Sequence, residues 1–161
     1  MLKKASTRET EQLVELMAEF YAESGYPLNR RQATATFMTL LSDPRVGHAW
    51  LVQAKGTIAG YVVVVMGYSM EYGGLIAYVD DLFIRPAFRR EGLGTEALTL
   101  VRSFCTKLEA RAIYLEVGRD NTPAQAVYRQ MGFVNVDRQL MALPLADPTH
   151  AVSGNSQRED R

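Results

Sequence analysis

The stretch Tyr78–Thr95, with the sequence YVDDLFIRPAFRREGLGT, decides the fold of this chain. Its first half is an apolar run interrupted by two adjacent acids, a pattern that predicts a buried strand ending near Ile84. A short turn with a proline follows, and Gly92 and Gly94 then open a helical pattern that continues to about Ala110. A turn that leads from a strand into the start of a helix is a common frame for a phosphate site.

The turn itself has the composition of an anion site. Arg85, Arg89 and Arg90 lie in it beside a single acid, Glu91. Glycines at the helix start let the backbone approach a ligand closely, because they carry no Cβ. The first amides of a helix have no partners within it, and the helix dipole is positive at this end. The sequence therefore predicts a phosphate cradle; a plain strand-to-helix turn is the simpler alternative.

A dinucleotide-binding fold is the rival explanation for these glycines. Gly92-x-Gly94-x-x-Ala97 fits G-x-G-x-x-A, and Glu116 follows 22 residues after Gly94. In that fold the strand runs almost directly into the first glycine, whereas here the seven residues Arg85–Glu91 intervene. Only 67 residues follow Gly94, too few to complete two mononucleotide-binding halves. Spacing and length both argue against this fold.

Composition limits the class of protein. The 161 residues include 18 Lys and Arg and 18 Asp and Glu, so the formal net charge is zero. A balanced charge gives no long-range attraction for nucleic acid or an anionic membrane. The longest uncharged apolar stretch, Ile58–Tyr68, has 11 residues, and a membrane-spanning helix needs about 20. The sequence has no signal-peptide pattern, and its one cysteine, Cys105, is expected in the core. We therefore predict a cytoplasmic protein that binds neither nucleic acid nor a membrane.

Periodicity outside the first stretch predicts an α/β domain with a mixed sheet. Helical spacing covers Thr7–Ser24, Asn29–Leu41, Glu91–Ala110 and Asn121–Met131. Alternating or continuous apolar runs predict strands at His48–Gln53, Thr57–Tyr68, Leu75–Ile84, Ala112–Val117, Phe133–Val136 and Arg138–Leu143. We expect one domain over residues 1–146 and a flexible polar tail over residues 147–161.

The first predicted helix has an acidic face. Glu11, Glu15, Glu19 and Glu23 follow one another at i,i+4 steps. Such like-charge pairs cost a few tenths of a kcal/mol each in an isolated helix. The face is either a solvated surface, which is the simpler interpretation, or an acidic rim that attracts a cationic ligand.

Two motifs in order resemble those of GNAT-type N-acetyltransferases. Arg89-x-x-Gly92-x-Gly94 resembles the Q/R-x-x-G-x-G/A signature that binds the pyrophosphate of acetyl-CoA, and Asn121-x-x-Ala124-x-x-x-Tyr128-x-x-x-Gly132-Phe133 resembles that family's second motif. The resemblance covers residues 3–145. It implies a GNAT-like fold, a mixed and curved β-sheet flanked by helices, with acetyl-CoA at a splayed junction of two strands.

The resemblance also implies roles for single residues. The backbone of Leu82, Phe83 and Ile84 is expected to bind the pantetheine arm of acetyl-CoA. Asn121 is expected to contact that arm or the acceptor side, and Tyr128 to protonate the departing CoA thiolate. The loop expected to bind the pyrophosphate comprises Arg89, Arg90, Glu91, Gly92, Leu93, Gly94 and Thr95.

Transfer of an acetyl group to an amine also needs a base. An alkyl amine of pKa about 10.4 is neutral roughly once in 10³ molecules at pH 7. Strand alternation predicts that Asp80 and Asp81 point to opposite faces and so do not share a proton. The pair is similar to that of diamine and polyamine acetyltransferases, which implies Asp80 as the base or water-orienting group and Asp81 as an acceptor-site or structural partner. Glu116 is a second candidate base; carboxylates satisfied by neighbouring backbone are the structural alternative.

The expected acceptor is a small cationic amine, such as a polyamine, a diamine or an amino sugar. Its contacts are predicted in three segments, Ser24–Leu28, Tyr68–Gly74 and Asn135–Arg138, and include Tyr26, Glu71, Tyr72 and Asp81. A protein lysine or N-terminal amine is the alternative within the enzyme class, and a CoA-binding module without turnover is the alternative outside it. No Cys, His or carboxylate spacing indicates a metal site. GNAT relatives are often dimers, which leaves a homodimer open.

Overall fold

The computed structural model describes residues 1–145, so the tail predicted at residues 147–161 lies outside the described residues. The elements are β1 (Leu2–Lys4), α1 (Thr10–Ser24), α2 (Arg30–Ser42), β2 (Gly47–Ala54), β3 (Thr57–Ser69), β4 (Gly74–Ile84), α3 (Leu93–Lys107), β5 (Ala112–Leu115) and α4 (Thr122–Gln130), with 3₁₀ turns at Thr7–Glu9 and Pro86–Phe88.

The strands form one mixed sheet in the order β1-β2-β3-β4-β5. The first four are antiparallel to their neighbours, and β5 runs parallel to β4 after the crossover through α3. This arrangement confirms the predicted α/β fold class. The sequence did not predict β1, because its three residues are too few to show an alternation.

The two strands predicted at Phe133–Val136 and Arg138–Leu143 are wrong. In the described part of the chain, no strand follows β5. The apolar side chains that produced the alternation lie in solvent instead, with Val134 82% and Leu143 83% exposed. Alternation gives a strand only where a sheet edge and an apolar face are available to pair and cover it.

Each face of the sheet has its own apolar core. Apolar side chains of α1 and α2 cover one face, called here the α1 face, and those of α3 and α4 cover the other, called the α3 face. The α1 face includes Leu13, Leu16, Phe37, Tyr61, Val63 and Phe83. The α3 face includes Val62, Val64, Val79, Leu98, Val101 and Cys105. Cys105 is 2% exposed, as predicted for a core thiol.

A bulge in β4 changes which face its side chains reach. Val63 of β3 pairs with Asp81 and the next residue, Val64, pairs with Val79, so Asp80 is an extra residue in the ladder. Opposed residues of an antiparallel pair point to the same face, so Asp81 lies with Val63 on the α1 face. Asp80 follows Val79 of the α3 face and points to the α1 face as well. The prediction that Asp80 and Asp81 point to opposite faces is therefore wrong.

The two parallel strands separate beyond Val79. Their pairing runs from Ile76 with Ala112 to Val79 with Leu115, where β5 ends. The rest of β4, as far as Ile84, has β3 on one side and no strand of the described residues on the other. The sheet thus has an open edge between Asp80 and Ile84, directly before the arginine-rich turn.

Candidate active site

The turn before α3 has the geometry of an anion cradle. Gly92 caps the helix with φ +81, a left-handed conformation that glycine adopts with little strain. This is why α3 starts at Leu93 and not at Glu91. A Cβ placed on Gly92 or Gly94 would meet no atom within 4 Å. The space beside these two glycines is open, and the first amides of a helix have no partners within it, so the residues present fit the phosphate end of acetyl-CoA.

Arg90 is the exposed arginine of this turn with a left-handed backbone. Its φ is +65, a left-handed value that costs a residue with a Cβ roughly 1–2 kcal/mol. Its side chain is exposed and forms no salt bridge within residues 1–145. Strained backbone of this kind is concentrated at functional sites. Arg90 thus differs from Arg85 and Arg89, which are both paired with glutamates of α1.

Arg89 and Arg85 instead tie the turn to α1. Arg89 donates from Nη2 to Glu23 Oε2 at 2.6 Å and from Nε to the Ile84 carbonyl at 2.8 Å. Arg85 donates to both carboxylate oxygens of Glu19, at 2.8 and 2.6 Å. Each of Glu19 and Glu23 is thus paired with an arginine of the turn. Neither of the two interpretations of the acidic helix face, a solvated surface or a rim for a cationic ligand, describes these two residues.

The remaining residues of the predicted loop have other positions. Glu91 accepts from Lys55 Nζ at 2.9 Å, and Leu93 is buried beneath the start of α3. Thr95 is exposed in the first turn of that helix. Glu91 and Leu93 thus hold the cradle in place from its outer side and its inner side.

The predicted pantetheine segment lies on the open edge of β4. Leu82 and Ile84 pack their side chains on the α3 face, and Phe83 is buried on the α1 face. Side chains on both faces anchor this part of the strand, while its backbone edge beyond Val79 has no strand partner among the described residues. Such an edge can bind an extended ligand through main-chain hydrogen bonds.

The second motif places Asn121 and Tyr128 on α4. Asn121 is the N-cap, and its side-chain oxygen accepts from the Ala124 amide at 3.3 Å. Tyr128 is half-buried against the α3-face core, with its ring 6.0 Å from that of Phe133 in an edge-to-face contact. Burial raises the pKa of Tyr128, which keeps its hydroxyl protonated and able to donate.

The acid pair is surrounded by tyrosines on the α1 face. The Tyr61 hydroxyl donates to Asp81 Oδ2 at 2.8 Å. Burial raises the pKa of Asp81 to about 6, and it also raises the pKa of Asp80. Burial raises the pKa of Tyr21 of α1 to about 12, and the charges of Asp81 and Asp80 contribute to the same shift. Tyr26 lies next to Tyr21, with ring centroids 6.2 Å apart.

Glu71 and Tyr72, both predicted to contact the acceptor, are not brought to this pair. Glu71 accepts two hydrogen bonds from Arg138, at 2.8 and 2.9 Å, and the ring of Tyr72 contacts that of Tyr114. Both lie in the β3–β4 hairpin, and the part of β4 from Gly74 to Asp80 spans about 20 Å at ~3.3 Å per residue. They lie at the opposite end of the strand from Asp81, and their contact with the acceptor stays a prediction.

Glu116 and Tyr128 also lie apart from the acid pair. Glu116 follows the last residue of β5 and is exposed, across the opening between the two strands. Tyr128 is on the α3 face, whereas Asp80 and Asp81 are on the α1 face. The open edge of β4 lies between these two sides of the sheet.

The sequence did not single out Tyr21 and Tyr61. Tyr61 is the one aromatic residue in the buried centre of β3, within the run AGYVVVV. A buried tyrosine hydroxyl usually needs a partner, and this was the available signal. The identity of the partner depends on the register of β3 against β4, which the sequence pattern does not show.

Residues 1–145 contain neither a candidate membrane span nor a candidate metal site. No described helix is long and apolar enough to span a membrane. No group of three or more His, Cys, Asp or Glu side chains in that part of the chain is placed to hold a metal ion.

Two curated proteins that are similar to part of this chain are named as acetyltransferases. A putative [ribosomal protein bS18]-alanine N-acetyltransferase of Bacillus subtilis (strain 168) is 30% identical over 95 residues, 58% of this chain and 57% of that protein. Streptothricin acetyltransferase of Streptomyces lavendulae is 30% identical over 103 residues, 63% of this chain and 52% of that protein. The chain thus spans about half the length of these curated relatives.

A solved structure is similar over nearly the whole chain. The crystal structure of an integron cassette protein from the mobile metagenome of Cole Harbour Salt Marsh has a TM-score of 0.84 and 39% identity, and the match covers 92% of this chain and 93% of that one. The family described as the acetyltransferase (GNAT) family matches residues 10–133, which contain both motifs. The chain belongs to the acetyltransferase (GNAT) family, as the two motifs predicted.

Proposed function

We propose that the protein is an acetyl-CoA-dependent N-acetyltransferase that transfers the acetyl group directly to the primary amine of a small cationic acceptor. The observation that supports this acceptor class is the placement of Asp80 and Asp81 on one face of β4, at the point where β4 and β5 separate. No Lys or Arg of residues 1–145 forms a salt bridge with either carboxylate. Two uncompensated carboxylates beside tyrosine rings favour a cation.

The cosubstrate would lie along β4. Acetyl-CoA supplies an acetyl group activated as a thioester. The amides at the start of α3 and the Arg90 side chain would bind its pyrophosphate, and the backbone of Leu82–Ile84 would bind its pantetheine arm. Arg89 does not contact the phosphates directly; it holds the turn through Glu23 and the Ile84 carbonyl. Asn121 acts by capping α4 and so fixes the position of Tyr128.

The acid pair would bind and deprotonate the acceptor. Asp81 is fixed by Tyr61 and supplies a negative charge for the acceptor ammonium. Asp80 is more exposed, and it takes the proton from the attacking amine, directly or through a water. Tyr26 and Tyr21 form the aromatic wall of this site at the end of α1. Glu116, across the opening, is the alternative base.

Tyr128 would act on the other side of the sheet. When the new C–N bond forms and the C–S bond breaks, the thiolate needs a proton, and the Tyr128 hydroxyl supplies it. Because Tyr128 lies on the α3 face, the amine approaches from the α1 side and the thiol leaves on the α3 side. The open edge of β4 is where the two reactants meet.

A protein amine is the second candidate acceptor. The B. subtilis relative is named for acetylation of an alanine of a ribosomal protein, whereas the S. lavendulae relative is named for streptothricin. The two carboxylates of Asp80 and Asp81 favour a cationic acceptor, which is why the small amine is preferred here.

A panel of acceptors tests the proposal. Release of CoA thiol from acetyl-CoA is measured with diamines, polyamines and amino sugars, and with peptides bearing a lysine or an N-terminal alanine. We expect kcat/KM for the best small amine to exceed that of every peptide by at least tenfold. A preference for a peptide would contradict the acceptor class. Binding of acetyl-CoA without turnover on any amine would show a binding module instead, and Gly92→Val serves as the binding-deficient control.

A further inference from the structure

We propose that Tyr61 is a positioning residue of the acceptor site, because its buried hydroxyl holds the Asp81 carboxylate in one orientation and in its ionised form. The inference rests on the proposed function, since it assigns to this pair the fixed negative charge that an acceptor ammonium meets. Tyr61 belongs to β3 and lies outside both family motifs.

The geometry of the sheet brings the two side chains together. Tyr61 is opposite Phe83 in the register of β3 against β4, and Val63 is opposite Asp81. Tyr61 is therefore the diagonal neighbour of Asp81 on the α1 face, a distance that a long side chain can span. The hydroxyl reaches Oδ2 at 2.8 Å, and the tyrosine side chain is fully buried.

Apolar packing keeps the Tyr61 ring in one place. Its centroid lies 6.3 Å from that of Phe37 and 6.3 Å from that of Phe83. A hydroxyl in this layer would be costly without a partner, and Asp81 is the partner that it has. The ring is thus held by packing, and the hydrogen bond transfers that rigidity to the carboxylate.

A neutral donor has a particular consequence at this position. An arginine or lysine bound to Asp81 would neutralise its charge, whereas a phenol stabilises the carboxylate and leaves the charge in place. Burial raises the pKa of Tyr61, so the phenol stays a donor. The Asp81 carboxylate thus has a fixed orientation and keeps its negative charge, and an ammonium group can bind to it.

The titration of Asp81 reflects these opposing effects. Burial raises its pKa, the hydrogen bond from Tyr61 lowers it, and the charge of Asp80 raises it, with a result of about 6. The titratable groups that face the pair are Asp80 on β4 and Tyr21 on α1, next to Tyr26. Without the phenol the pKa of Asp81 rises further, and a larger fraction is neutral at pH 7.

The variant Tyr61→Phe tests this assignment, because it removes one oxygen and keeps the ring. The first measurement is a carbon-13 NMR titration of the carboxyl groups in the protein without acceptor, with the Asp81 signal assigned by its loss in Asp81→Asn. We expect the pKa of Asp81 to rise by about one unit, which corresponds to a tenfold change in its ionisation equilibrium. Tyr68→Phe, on the same strand but 72% exposed, is the matched control and leaves the titration unchanged.

The second measurement is the pH profile of kcat/KM for the best amine. We expect its acidic limb to move to higher pH in Tyr61→Phe by the same amount as the titration, with the affinity for acetyl-CoA unchanged. An unmoved Asp81 titration in the folded variant overturns the proposal. If Tyr61→Phe does not fold, Asp81→Asn decides: the amide oxygen still accepts from the phenol, so an unaltered acidic limb and an unaltered amine KM also overturn it. Since the titration needs no turnover, failure of the proposed function and failure of this inference are distinguishable.

Discussion

Arg89 Nη2 and Glu23 Oε2 lie 2.6 Å apart, although 66 residues separate them in the sequence. Arg85 and Glu19 form a second pair one helical turn earlier on α1, with two hydrogen bonds. The four side chains fix the end of the helix that leads to Tyr26 against the turn that precedes α3. These ion pairs therefore hold the proposed acceptor side, at the end of α1, and the phosphate cradle in a fixed relative position.

The double variant Glu19→Gln/Glu23→Gln should lower the free energy of unfolding by about 1 kcal/mol at pH 7, as expected for two partly exposed pairs. The arginine hydrogen bond holds the pKa of Glu23 below its ordinary value, so this contribution is present above that value and is lost as pH falls through the folded-state pKa. Urea denaturation at several pH values measures it. Glu11→Gln on the same helix is the control, and an equal loss there would contradict the assignment.

Gly94→Ala should separate stability from binding. Gly94 has no positive φ and lies in the first turn of α3, so alanine should stabilise the helix by about 0.4–1 kcal/mol. The new Cβ projects into the open space of the cradle, and we expect the Kd for acetyl-CoA to rise at least tenfold. Thermal unfolding and calorimetric titration measure the two effects.

Gly92→Ala is the matched comparison for that cradle, because φ +81 is strained with any Cβ. It should lose stability as well as affinity. Unchanged affinity in Gly94→Ala would place the pyrophosphate elsewhere.

Tyr128→Phe should slow the release of CoA thiol by about 10²-fold or more, because the thiolate loses its proton donor. The ring remains packed against the α3-face core, so the affinity for acetyl-CoA should change little. Single-turnover measurement of thiol release, together with the Kd, checks both statements. A variant with full turnover would remove Tyr128 from the acid role.

Asp80→Asn and Glu116→Gln compare the two candidate bases with changes of equal size. We expect kcat/KM for the amine to fall by about 10²-fold or more in Asp80→Asn and by less than threefold in Glu116→Gln. The difference follows from the position of Asp80 beside the ordered charge of Asp81, whereas Glu116 lies across the opening. The reverse order of effects would assign the base to Glu116.

The local signals in the sequence predicted much of this molecule. The glycines of the turn, the caps and the periodicity of the helices depend on neighbouring residues, and α1 to α4 and β2 to β5 lie where those signals indicated them. The strands predicted after Gly132 failed because alternation alone does not supply a sheet edge. The sequence did not show that Glu71 and Tyr72 lie at the other end of β4 from Asp81, because chemistry suited to a cation does not tell which end of a strand a hairpin occupies.

Long-range relationships explain the rest of what the sequence did not show. Arg89 has the residue type of its motif, but its partner Glu23 comes from a helix 66 residues away. The Tyr61–Asp81 contact depends on register, and the common face of Asp80 and Asp81 depends on one irregular ladder step. None of these three relationships produces a local sequence pattern, so the periodicity of apolar residues cannot reveal them.

The ladder step gives a further prediction. Val63 and Val64 are consecutive on β3, and their partners Asp81 and Val79 would also be consecutive if Asp80 were deleted. The deletion should leave the pairing and the face of every other β4 residue unchanged, so the protein should fold with the Tyr61–Asp81 contact intact. Acetyl-CoA affinity should persist while amine turnover is lost. Circular dichroism, thermal unfolding and calorimetry check these outcomes, and a collapsed fold would show that the bulge is structural.

A strand with one spare residue also bears on how such a protein can be redesigned. The core positions of β4 follow one alternation before Asp80 and a second, shifted alternation after it, and both are satisfied by apolar neighbours. The side chain at position 80 is therefore decoupled from the packing of the domain. Changes at this position should therefore alter amine turnover without repacking either apolar core, and the half of the molecule that faces the cosubstrate should stay as it is.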